Sequence, residues 1–155
     1  MNLDIIRENA TKRLNHGSIY AGEVTPLEAW ELLTYDSAAV LVDVRTHPEW
    51  MFVGLPDLRS LGKDLIRISW QIFPEMQVND SFVANVVESV SNLDTSIMFI
   101  CRSGARSQAA AELCAKSGFT KAFNVIDGFE GGQNASGHRG LTAGWKKSDL
   151  PWVQS

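Results

Sequence analysis

The chain has 155 residues, 45% of them hydrophobic, 21% charged and 9% aromatic. That is enough apolar material for one core without disulfide or metal staples, and too much for a disordered chain. The formal net charge of -4 argues against a general nucleic-acid binder but leaves room for a local basic pocket that takes a small anion. There are two cysteines, Cys101 and Cys114, with no Cys-x-x-Cys pair, and the three histidines (His16, His47, His138) are dispersed. Metal-ligand spacing is therefore absent, and no metal site is expected. The N-terminal run MNLDIIRENATKRLNHG alternates charged and apolar residues. It reads as neither a signal peptide nor an anchor, and no stretch approaches the roughly 18 apolar residues of a membrane span. A cytoplasmic location without membrane association is the expectation, because a thiol stays reduced there.

Residues 1–21 read as an amphipathic lead-in, helical from about Leu3 to Leu14. In VTPLEAWELL, Thr25 is placed to cap a helix, Pro26 suits its first turn and Glu28 completes a capping box. Leu27, Ala29, Trp30 and Leu33 supply an apolar stripe at helical spacing. AAVLVDVR (38–45) is a short apolar run ending in charge, as expected for a strand buried on both faces. LIRIS (65–69) is a second candidate strand. SFVANVVESVSNL (81–93) reads as a helix and SIMFI (96–100) as the clearest strand. SQAAAELCAKSG (107–118) is rich in helix formers and ends in Lys116 and Gly118. KAFNVIDG (121–128) reads as a further strand and turn. The glycine-rich stretch 131–144 reads as a long surface loop. Trp145 and Trp152 in the tail either pin it to the domain or belong to a partner surface. Strands alternating with helices at this spacing predict a three-layer α/β domain with a mainly parallel sheet.

The informative segment is IMFICRSGARSQAAAEL (97–113). Cys101 directly follows an apolar strand and precedes a helix, the position beyond the carboxyl end of a strand where ligands bind in open parallel sheets. The polar loop 102–106, with Gly104 free to adopt unusual backbone angles, can turn successive N–H groups inward as an anion nest. The following helix adds the positive end of its dipole. Arg102 and Arg106 add charge, and Ser103 and Ser107 can donate hydrogen bonds. Such a setting makes a cysteine nucleophilic, whereas an isolated cysteine at a strand end is more often a small buried hydrophobe. Cys114 fits that second description: it lies on a sheet-facing helical stripe, with a resolving role toward Cys101 as the alternative.

CRSGARS (101–107) resembles the active loop of the rhodanese-like sulfurtransferase domain, a cysteine, four residues, an arginine and then serine or threonine. VTPLEAWELL, VLVDVRTHPEW (40–50) and GFTKAFNVIDGFEGG (118–132) resemble the family's other segments in the expected order, so that the likeness covers roughly 22–132, with 133–155 as a loop and tail packed on the same domain. The resemblance implies a three-layer domain with a central five-stranded, mainly parallel sheet, and no cofactor. It also implies a sulfurtransferase in which Cys101 takes sulfane sulfur from thiosulfate or a related anionic donor, as a persulfide. A thiol, cyanide or protein acceptor then removes that sulfur. Arg106 would close the loop and contribute to its field, and Arg102, Ser103, Gly104, Ala105 and Ser107 would hold the donor and the terminal sulfur. Asp43, Arg45 and Glu49 correspond to supporting positions. Read from the residues alone, Asp43 can be a strand-end turn residue, and Arg45 and Glu49 a helix-surface pair, with Pro48 delaying the helix.

After Trp50 the sequence departs from the family pattern. Gly54 is the remnant of a Gly-His run that has lost its histidine, Arg59 and Lys63 bring extra positive charge, and WQIFPEM (70–76) is an apolar insertion. That insertion can be core, a lid, or a docking surface for a protein partner, as can 145–152 for the last role. A cysteine-dependent phosphatase is the nearest enzyme rival, but its loop has five residues between cysteine and arginine, and here there are four. A persulfide carrier or regulatory binding module with little turnover is the alternative of a different class.

Overall fold

The computed structural model describes residues 2–154. In chain order its elements are α1 (Leu3–Lys12), β1 (Gly22–Val24), α2 (Pro26–Tyr35), β2 (Val40–Asp43), α3 (His47–Phe52), β3 (Leu55–Pro56), a 3-10 turn (Arg59–Leu61) and β4 (Ile66–Arg67). There follow β5 (Gln71–Ile72), β6 (Gln77–Val78), α4 (Phe82–Ser89), β7 (Ile97–Ile100), α5 (Ala105–Lys116), β8 (Ala122–Val125) and β9 (Trp152–Val153).

Five strands form the central sheet in the order β1-β8-β7-β2-β4, with every neighbouring pair parallel. β7 lies at the centre, in register with β2 through Val40↔Ile97 and Val42↔Phe99. Successive side chains of a strand point to opposite faces, and here both faces are covered. Leu41, Met98 and Ile100 join the core cluster that contains Ile6 and Ala10 of α1 and Ala29, Leu32 and Leu33 of α2. Val42, Ile97, Phe99 and Cys101 belong to the opposite cluster, with Phe82 and Val86 of α4 and Ala110, Ala111 and Cys114 of α5. The result is the three-layer arrangement that the sequence predicts.

The connection leaving β2 leads outward to β4, whereas the one leaving β7 leads the other way to β8. The carboxyl ends of β2 and β7 therefore flank the point where the chain reverses direction across the sheet, where a crevice opens in such folds. Cys101 stands at one side of it, and the segment carrying Asp43 to Glu49 at the other.

Local signals decide several of the helix ends. Thr25 Oγ1 accepts from the Glu28 N–H at 3.1 Å and the Glu28 carboxylate accepts from the Thr25 N–H at 2.9 Å, which is the capping box. Other details differ from the sequence-based expectation. Leu27 is 56% exposed, and Leu32 takes its place in the core. α3 begins at His47 with Pro48 in its first turn, so the proline starts that helix instead of delaying it. α4 stops at Ser89, because Val90 is already extended. The three-residue β1 and the two-residue β3, β5, β6 and β9 are too short to leave a period in the sequence, whereas β4 falls within the expected strand 65–69 but spans only Ile66–Arg67.

The tail returns to the domain. Trp145 is fully buried in the first core cluster, its Nε1–H donates to the Pro151 carbonyl at 2.8 Å, and its ring meets Trp30 edge-on at 5.9 Å. β9 pairs antiparallel with β3, leaving Trp152 39% exposed. No helix among the described residues is long and apolar enough to cross a membrane.

Candidate active site

Cys101 is buried and unbridged at the end of β7. Its Sγ accepts a hydrogen bond from the Gly104 N–H at 3.1 Å and lies 3.2 Å from the Ser107 hydroxyl. Gly104 precedes the first residue of α5 with φ +120°, a conformation that L side chains resist, and that turn aims its N–H back at the sulfur. The twelve-residue α5 starts at Ala105, so its amino-terminal end faces the sulfur. Beneath the loop, the Cys101 carbonyl accepts from Phe129 N–H at 2.8 Å, and the Arg102 carbonyl from Glu130 and Gly131 at 3.0 and 3.1 Å. Gly128 makes this close approach feasible, since a Cβ there would collide with the Cys101 and Arg102 backbone.

The loop is also clamped from the side. Arg106 donates to both carboxylate oxygens of Glu49, at 2.7 and 3.0 Å, a bidentate pair with 19% side-chain exposure at each end. Glu49 Oε1 in addition accepts from the Thr46 N–H and hydroxyl at 3.2 and 2.9 Å. Burial pushes the Glu49 carboxyl up, but Arg106 and Thr46 together outweigh it and hold the carboxyl at about 2. Burial likewise opposes the Arg106 charge, and Glu49, with smaller contributions from Cys101 and Asp43, raises the guanidinium above its ordinary value. The charge of Arg106 is thus balanced by Glu49, whereas Arg102 is exposed with its side chain toward the crevice.

The crevice has a volume of about 560 Å³ and is lined by Cys101, Arg102, Ser103, Ala105 and Arg106 from the loop, Glu49 and Val53 from the α3 region, Gln71 and Met76 from the β5–β6 hairpin, and Glu130 and Arg139 from beyond β8. A cavity of this size is within the range of small-molecule sites. The sulfur at its floor, the inward N–H of Gly104 and the cations at its wall make it suited to a small anion.

The family described as the STR4 middle domain matches residues 21–155. The chain belongs to the rhodanese-like family. A crystal structure of a protein from M. tuberculosis is similar to it with a TM-score of 0.80 and 47% identity, covering 88% of this chain and 99% of that one. An uncharacterized protein of Rickettsia prowazekii is 38% identical over 126 residues, 81% of this chain and 91% of the relative. A thiosulfate sulfurtransferase of Actinobacillus succinogenes is 27% identical over 113 residues, 73% of this chain and 85% of the relative.

Within this rhodanese-like fold the residues singled out in the sequence fall into two groups. Cys101, Arg102, Ser103, Ala105, Arg106 and Glu49 meet at the crevice, and Gly104 and Ser107 bond the sulfur from behind. Asp43 and Arg45 do not line it. Both are fully buried and bonded to each other at 2.7 Å, with Arg45 also donating to the Gly54 carbonyl at 2.7 Å and stacked 4.4 Å from the Phe129 ring centroid. Arg45 pairs with Asp43, and Glu49 with Arg106, so the helix-surface pair of Arg45 with Glu49 is not formed. Arg59 pairs with Asp57 and Lys63 donates to the carbonyls of Asp36 and Ala39. Both line a separate groove and bring no charge to the crevice.

The insertion 70–76 is a hairpin at the rim. Ile72, Phe73 and Met76 are 51%, 56% and 37% exposed, and only Trp70 packs inward, edge-on to Phe82 at 5.1 Å. Cys114 is fully buried, and burial pushes its thiol up to about 12, far from a reactive thiolate. Arg139 and Glu130 were not singled out in the sequence. Arg139 donates to the Gly131 carbonyl at 2.7 Å, and in a glycine-rich loop nothing local marks it as facing a site.

Proposed function

We propose that this rhodanese-like protein is a sulfurtransferase that forms a persulfide on Cys101 and passes the sulfane sulfur of thiosulfate, or a related anionic donor, to a thiophilic acceptor. The observation that carries this reading is the Cys101 sulfur held at the crevice floor by the Gly104 N–H, with Ser107 at 3.2 Å. The Cys101 thiolate attacks the outer sulfur of thiosulfate. A new S–S bond forms, the bond to the sulfite sulfur breaks, and sulfite leaves with the electron pair. The loop N–H groups and the amino-terminal end of α5 stabilise the terminal sulfur anion. An acceptor nucleophile then bonds to the outer sulfur, and Cys101 leaves as thiolate. Arg102 draws in the anion, Arg106 with Glu49 holds the loop in shape, and Asp43 with Arg45 braces the end of β2.

A second reading, a persulfide carrier loaded by a protein partner, is favoured by one observation: the exposed Ile72, Phe73 and Met76 beside the crevice. Intact-protein mass after exposure to thiosulfate tests both. Wild type gains one sulfur atom that cyanide then removes catalytically, and a folded Cys101→Ala variant gains none. Reduced, folded wild type that gains no sulfur rules out the thiosulfate reading and leaves the carrier.

A further inference from the structure

Behind the sulfur a line of polar groups crosses the sheet to its edge. The Ser107 hydroxyl is fully buried and lies 3.2 Å from Cys101 Sγ, 3.2 Å from the Gly104 carbonyl and 2.5 Å from Asn124 Oδ1. It has one proton for three acceptors. Asn124, on β8 and 2% exposed, donates from Nδ2 to Glu23 Oε1 on the neighbouring β1 at 3.1 Å. Glu23 Oε2 is buried, and among the described residues no group meets it in good hydrogen-bond geometry, the Tyr20 hydroxyl being the donor that acts on this carboxylate from nearby.

An amide is nearly symmetric in shape, and what faces each end selects its orientation. Ionised Glu23 accepts only, so it draws Nδ2 toward itself and leaves Oδ1 facing Ser107. The Ser107 proton is then committed to Asn124, and the hydroxyl offers lone pairs to the sulfur. That polarity suits a thiol and gives a thiolate or persulfide anion one donor fewer. With Glu23 protonated, its O–H donates to Asn124 Oδ1, the amide turns, Nδ2 donates to Ser107, and the Ser107 proton is released to the sulfur.

We propose that Glu23 is a positioning residue for the sulfur chemistry of Cys101, acting through the orientation of Asn124 to set whether Ser107 donates a hydrogen bond to the sulfur anion. The proton that Glu23 takes up comes from solvent, and no group is oxidised or reduced. This role rests on Cys101 being the sulfur-bearing residue. The surroundings of Glu23 suit such a switch. Burial raises its carboxyl above the ordinary value, the Tyr20 hydroxyl and Asn124 work against that rise, Glu112 on α5 adds to it and Arg13 after α1 lowers it. Arg13 is itself engaged by the Glu28 carboxylate and the Glu23 carbonyl.

The test is the pH dependence of Cys101 alkylation by iodoacetamide, followed by peptide mass so that only Cys101 is counted, in the full chain. Glu23→Gln removes the charge that fixes Asn124, and the apparent Cys101 pKa falls by about one unit, the effect of one added hydrogen bond to an anion. In a Ser107→Ala background the same substitution shifts it far less. No shift, or an equal shift in both backgrounds, overturns the proposal, the second because it marks a through-space charge effect. Asn124→Leu supplies an independent check when Glu23→Gln does not fold. With the competing acceptor gone the Ser107 proton turns to the sulfur, and the Cys101 pKa falls comparably; an unchanged or raised value overturns the proposal. Alkylation needs no sulfur donor, so a protein that shifts as expected but never loads sulfur refutes the transfer activity alone.

Discussion

Glu49 and Arg106 show how one ion pair ties stability to the shape of the site. The Glu49 carboxyl lies at about 2 in the folded chain against an ordinary 4.5. A depressed carboxylate contributes stability that is fully present above about 4.5, fades as the pH falls and is gone below about 2. Both side chains are largely shielded, so this is not the weak pair of an open surface. Glu49→Gln leaves Arg106 uncompensated and costs about 2–3 kcal/mol at neutral pH, somewhat below the loss for a fully buried pair. Denaturant unfolding from pH 7 to pH 2 checks the sign. Wild type loses its advantage over the variant between about pH 4.5 and 2, and the two curves converge at the acid end. Curves that stay parallel would mean that Glu49 is not held down by Arg106 in solution.

Among the elements, the strand, loop and helix around Cys101 bring the most residues of the candidate site together in the least chain. Gly104 is the hinge of this unit, and a Cβ there would meet only ordinary van der Waals contacts, Asp127 N at 3.8 Å and Asn124 Nδ2 at 3.9 Å. The cost of a side chain there is therefore one of backbone angle, of order 1–2 kcal/mol, and not of collision. Gly104→Ala relieves that strain by rotating the peptide whose N–H bonds the sulfur. Sulfur loading therefore slows by at least tenfold while thermal unfolding moves only a few degrees. Loading at the wild-type rate in a folded variant would show that this N–H is dispensable. The unit was legible in the sequence because β7, Cys101, the loop and α5 are contiguous, and the Thr25–Glu28 capping box because its partners are three residues apart. Arg139, Asn124 and Glu23 were not. The Asn124–Glu23 bond joins residues 101 positions apart, and it exists only because β8 pairs with β1. No periodicity or spacing in one sequence encodes that adjacency.

At the scale of the molecule, two apolar clusters grip the sheet from opposite sides, and the tail completes one of them. Trp145 is the largest fully buried side chain and lies in the cluster formed with α1 and α2. It reaches that place because the chain after β8 folds back, with the Trp145 N–H donating to the Gly128 carbonyl at 2.8 Å, directly after the turn that supports the Cys101 loop. The tail thus stabilises the ground on which the site stands. Trp145→Ala opens a cavity and costs about 3–5 kcal/mol, which for a chain of this length lowers Tm by roughly 6–20 °C. Trp145→Phe keeps most of the ring contact and loses the bond to the Pro151 carbonyl, which still accepts from the Asp57 N–H at 3.0 Å, a loss of about 0.5–1.5 kcal/mol. Calorimetry on the three proteins should therefore order them wild type, Phe, Ala. A Trp145→Ala protein melting within two or three degrees of wild type would mean that the tail is not bound to the sheet in solution, and that its tryptophans are free to meet a partner.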